Sequence, residues 1–70
     1  MEITDETNEN GTQFATAEFA GNFYDLSLDQ KLEIGRKVNG KYGGGFKYIG
    51  ADTAYGKVKM LYMKKNNQKT

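Results

Sequence analysis

Asp25, Asp29 and Glu33 are the acids that gather near a stretch with a strong structural signal. Asp29 and Glu33 are four residues apart, so on a helix they share a face. Such a pair could hold a divalent cation or divide acid and base roles, but either use needs a third ligand and a pocket. Glu33 also precedes Lys37 by four residues, the favourable order for a surface ion pair, and a solvated helix face is the expectation. The chain has no His and no Cys. That removes the commonest general base, the commonest metal ligand and any catalytic thiol or disulfide framework. Ser27 is its one serine, and no nucleophile stands beside a base. The expectation is a protein that is not an enzyme and needs no cofactor and no metal.

The glycine run Gly43-Gly44-Gly45 lies between Lys41 and Lys47. Successive backbone N–H groups could cradle a phosphate there. The run lacks the Gly-Lys-Ser/Thr ending of a phosphate loop and follows a helix signal instead of a strand, so it reads as a flexible joint. The surrounding Lys41-Tyr42-Gly43-Gly44-Gly45-Phe46-Lys47-Tyr48 departs from the basic-aromatic motif of RNA-recognition sheets. Gly43 and Gly45 stand where stacking aromatics are needed.

Charge is segregated although the net charge is only +1. Residues 1–30 carry −7 and residues 31–70 carry +8. A basic second half suggests an anionic partner, or screening by the acidic first half. Lys41, Lys47, Lys57, Lys59, Lys64 and Lys65 could contact phosphates, with Tyr42 or Tyr55 stacking on a base. Lysine also serves solubility on sheet surfaces.

These residues need elements to place them. Ser27 and Gln30 form a capping-box pattern. From there Leu28, Leu32 and Val38, with Ile34 on their shoulder, give a helix whose apolar face covers a sheet. Gly35, on that side, suggests close approach to the sheet, and Asn39-Gly40 suggests the helix stop. Residues 12–20 favour a strand through their threonines and phenylalanines, although their alanines also allow a helix. Residues 46–50 and 57–63 read as a hairpin. Phe46, Tyr48, Val58, Met60 and Tyr62 face the helix, and the seven residues Gly50–Gly56 form the connection.

The expected fold is therefore α+β, a single small domain ordered β-α-β-β. One helix packs on one face of a three-stranded, mostly antiparallel sheet, with the last strand central. Residues 1–11 read as a flexible acidic N-terminal arm, 12–63 as the domain, and 64–70 as a flexible basic C-terminal tail. No apolar run approaches the length of a membrane span and no signal-peptide pattern opens the chain, which fits a cytoplasmic protein with no membrane partner.

A chain of 70 residues supports one modest core. One helix covers one sheet face, so the other is left with Lys47, Ile49, Lys57, Lys59, Leu61 and Met63. An apolar patch ringed by charge is a common docking surface. The leading expectation is a non-catalytic binding protein that docks on a protein partner through that open face. Its role would be that of an inhibitor or accessory factor, of the kind phages and mobile elements encode. A second copy of the chain is a further candidate partner. The alternative is a small nucleic-acid-binding protein using Lys41, Tyr42, Lys47, Tyr55, Lys57 and Lys59.

Overall fold

A computed structural model describes residues 1–65. The chain runs β1 (Glu2–Thr7), β2 (Gln13–Ala20), a 3-10 turn (Phe23–Asp25), α1 (Leu28–Tyr42), β3 (Lys47–Ala54) and β4 (Lys57–Lys64). The strands form one antiparallel sheet in the order β1-β2-β4-β3. The fold is α+β with one helix, and residues 57–64 lie between residues 13–20 and 47–54, the order expected for those three strands. The sheet has four strands, not three. Most of the expected tail, residues 66–70, lies outside the described residues, and Lys64 closes β4.

The fourth strand comes from the stretch expected to be a mobile arm. Its residues are polar, and Ile3 is its single apolar anchor, packed at the margin of the core. What orders it is pairing with β2, from Glu2 opposite Glu18 to Thr7 opposite Gln13. The connecting turn is tied by Asn8, whose Oδ1 accepts from the N–H groups of Asn10 (2.9 Å) and Thr12 (3.0 Å). Asn and Asp side chains stabilise turns in this way.

The capping box at the start of α1 is formed. Ser27 Oγ accepts from the Gln30 N–H at 3.1 Å, and Gln30 Oε1 accepts from the Ser27 N–H at 2.8 Å. The helix does not stop at Asn39. It continues to Tyr42 and is capped by left-handed Gly43 (φ 88°), a conformation cheap only without a Cβ. Asn39 is engaged elsewhere. Its Nδ2 donates to the carbonyls of Gly35 and Phe46, both at 3.1 Å, and its Oδ1 accepts from the Phe46 N–H at 2.7 Å. One side chain thus fastens the last turns of α1 to the entry of β3.

The core contains Ala15 and Ala17 of β2, Ile34 and Val38 of α1, Phe46, and Val58, Met60 and Tyr62 of β4. The two alanines leave room for the helix to sit low on the sheet. The apolar face of α1 proves to be two stripes. Ile34 and Val38 are buried, whereas Leu28 and Leu32 are 71% and 49% exposed. At about 100° per residue the two pairs lie roughly 120° apart around the helix, so one sheet cannot cover both. Leu28 and Leu32 instead edge a groove between α1 and the β3 side of the sheet.

Candidate interaction surface

Alternation along β4 sorts the sheet into two faces. Val58, Met60 and Tyr62 are buried under α1, so Lys57, Lys59, Leu61 and Met63 point the other way. Cross-strand register then assembles the open face row by row. One row runs Glu6, Phe14, Met63, Lys47; the next Thr4, Thr16, Leu61; the next Glu2, Glu18, Lys59, Asp52. A bulge between Tyr48 and Gly50 sets Ile49 beside the Leu61 row, where it is 50% exposed. Thr4 and Thr16 share a hydroxyl hydrogen bond of 2.8 Å across the strands.

The expected set of Lys47, Ile49, Lys57, Lys59, Leu61 and Met63 therefore shares one face. Leu61 and Met63 are half-buried by their neighbours in the sheet, and the lysines are exposed. Phe14 belongs with them, as a half-buried ring next to Met63. The odd spacing of Phe14 and Phe19 points to this arrangement, since a strand must send them to opposite faces. The charge asymmetry of the sequence reappears in space. Glu2, Glu6 and Glu18 lie on β1 and β2, Lys47, Lys57 and Lys59 lie on β3 and β4, and the apolar side chains are interspersed with them along β2, β4 and β3. Asp52 is the exception, opposite Lys59.

The alternative set is not brought together. Lys41 and Tyr42 belong to the last turn of α1, on the other side of the sheet. Lys41 Nζ donates to the Ile3 carbonyl at 3.2 Å, and the Tyr42 ring packs 5.7 Å from that of Phe46. Burial, then the charge of Asp5 and a hydrogen bond to it, raises the Tyr42 phenol above its usual pKa. Tyr55 is fully exposed at the hairpin tip. That connection is shorter than expected. Ala54 pairs with Lys57, so the loop is Tyr55-Gly56, with φ of 54° and 74°, as a type I′ turn requires.

The acids near α1 have surface roles. Glu33 pairs with Arg36 at 3.2 Å instead of with Lys37, and both side chains are exposed. Among the described residues no cluster of three or more potential metal ligands occurs. Among the same residues no helix is long and apolar enough to cross a membrane. No family model matches the chain, nor does any curated protein or solved structure.

Proposed function

We propose that this is a non-catalytic binding protein that docks on a protein partner through the open sheet face. The observation that carries the reading is the position of β1. The N-terminal segment could have folded over that face and hidden it. It extends the sheet at the edge of β2 instead, and among the described residues no helix lies over Ile49, Leu61, Met63 and Phe14. These four make an apolar belt. Glu6 borders it on the β1 side and Lys47 on the β3 side, with Lys59 next along β4, giving a partner both a greasy centre and a sense of orientation. The mixture of signs favours a protein over nucleic acid, because Glu18 and Asp52 on either side of Lys59 would repel a phosphate backbone.

The test is capture of partners from a lysate by the full chain, with and without nuclease, compared with Leu61→Asp and Lys59→Glu. The folded state of each variant is checked by circular dichroism. The expected result is a protein partner retained after nuclease and lost from folded Leu61→Asp. Undiminished capture by that folded variant would overturn the reading. Capture that vanishes with nuclease and weakens steeply with salt would support nucleic-acid binding instead.

A further inference from the structure

The open sheet face carries its charges in a pattern that a second copy of the same face complements. The strands stand in the order β1-β2-β4-β3, so the midline of the face runs along the strands between β2 and β4. In one row Glu6 on β1 and Lys47 on β3 stand equally far from that midline, with Phe14 and Met63 between them. Two rows on, Glu18 and Lys59 stand on either side of it. In both rows the acid is on the β1 side and the lysine on the β3 side. Among the described residues the one ion pair joins Glu33 and Arg36, so Glu6, Glu18, Lys47 and Lys59 have no salt-bridge partner there.

We propose that the protein partner of this face is a second copy of the chain, an inference that rests on the docking reading above and names its partner. The two copies stack sheet on sheet about a two-fold axis that runs along the strands between β2 and β4. Such an axis lays β1 over β3 and β2 over β4 of the other copy. Glu6 meets the partner's Lys47, Glu18 the partner's Lys59 and Phe14 the partner's Met63, and symmetry makes each contact twice. An axis across the strands through the Leu61 row would put Glu6 on the partner's Glu2 and Phe14 on the partner's Glu18, so charge and apolar character both select the first. The adverse contact in the selected pairing is Asp52 against the partner's Glu2. Strands about 4.8 Å apart, rising about 3.4 Å per residue over at most 8 residues, give a face of roughly 500 Å². Two such faces bury about 1,000 Å², the lower bound for a specific interface, so the dimer exchanges with its monomer at micromolar concentrations. Oligomerisation is also a common support for so short a chain.

The experiment is sedimentation equilibrium of the full chain from about 1 µM to about 1 mM, with the fold of each variant checked by circular dichroism. Wild type is expected to dimerise with a Kd of about 10–100 µM. Glu6→Lys and Lys47→Glu should each weaken the dimer about tenfold. The double exchange Glu6→Lys/Lys47→Glu should recover wild-type affinity, because its charges meet again across the axis, whereas damage to the fold would accumulate. Asp52→Asn should tighten the dimer about threefold. The proposal is overturned by a wild-type chain that stays monomeric at about 1 mM, by a double exchange no tighter than the single variants, or by a dimer that persists unchanged in folded Leu61→Asp. A monomer that still captures a lysate protein, and loses it on Leu61→Asp, overturns the self-pairing alone and leaves the docking reading in place. A chain that neither dimerises nor captures a protein overturns both.

Discussion

Replacing Asn39 with Ala removes three hydrogen bonds at one stroke, two donated by Nδ2 and one accepted by Oδ1. Each is worth about 1 kcal/mol net. The Gly35 carbonyl already serves the helix ladder, so its share is the smallest. The Phe46 N–H suffers most, because it belongs to a residue only 6% exposed and loses its partner. Against the loss, Ala is the better helix former by up to about 0.7 kcal/mol. The balance is a destabilisation of about 2.5 kcal/mol. For 70 residues the whole stability is expected to be about 3.5–10 kcal/mol, so the loss is a large fraction of it. At roughly 4–8 °C per kcal/mol, Tm should fall by about 10–20 °C. Urea unfolding followed by circular dichroism measures this, with an unchanged m value showing that the fold is the same. Asn39→Asp keeps the acceptor for Phe46 but turns a carboxylate toward two carbonyls, and should lose at least as much at neutral pH. A drop of less than about 1 kcal/mol in Asn39→Ala would refute the assignment of this side chain as the clamp between α1 and β3.

Two further outcomes follow from the same coordinates. Tyr55 holds a left-handed conformation (φ 54°) with its side chain fully exposed, so Tyr55→Asn should stabilise the fold by about 1 kcal/mol, read as a higher urea midpoint. The Tyr62 phenol has a raised pKa in the folded state, so the folded chain keeps that proton longer than the unfolded one. Stability should hold through neutral pH and fall once pH exceeds about 10, where the unfolded phenol ionises. Tyr62→Phe should flatten that fall in part, since Tyr42 is shifted in the same direction and contributes a remainder. Parallel alkaline profiles for wild type and Tyr62→Phe would count against the buried phenol as a cause.

Signals that act within a few residues are legible in the sequence. Ser27 and Gln30 announced the helix start, and the alternation of Val58, Met60 and Tyr62 announced both the strand and its buried face. Parity alone then placed Lys47, Ile49, Lys57, Lys59, Leu61 and Met63 opposite α1. What escaped depends on distant partners. Glu2–Thr7 has one apolar residue and no periodicity, and only the neighbouring strand makes it ordered. Asn39 looked like a helix terminator because its contact with Phe46 is tertiary. Gly35 suggests close approach to the sheet. In fact a Cβ there would meet the Tyr62 ring at 3.7 Å, an ordinary contact. The groove is not legible in the sequence because Leu28 and Leu32 read as part of one apolar face with Val38 and Ile34.

The placement of β4 has a consequence for how the molecule comes into being. The strand between β2 and β3 is the last of the four along the chain, and its pairing joins Gln13 to Lys64. During translation the first hairpin and α1 are made with only Ala15 and Ala17 to seat the helix, since Val58, Met60 and Tyr62 are still unmade. At roughly 5–20 residues per second a second or more passes between the making of Tyr42 and that of Tyr62, and until then α1 lacks most of its platform. Assembly must wait for that keystone, and any premature stop before residue 57 should yield a polypeptide destined for degradation, not a partly working protein.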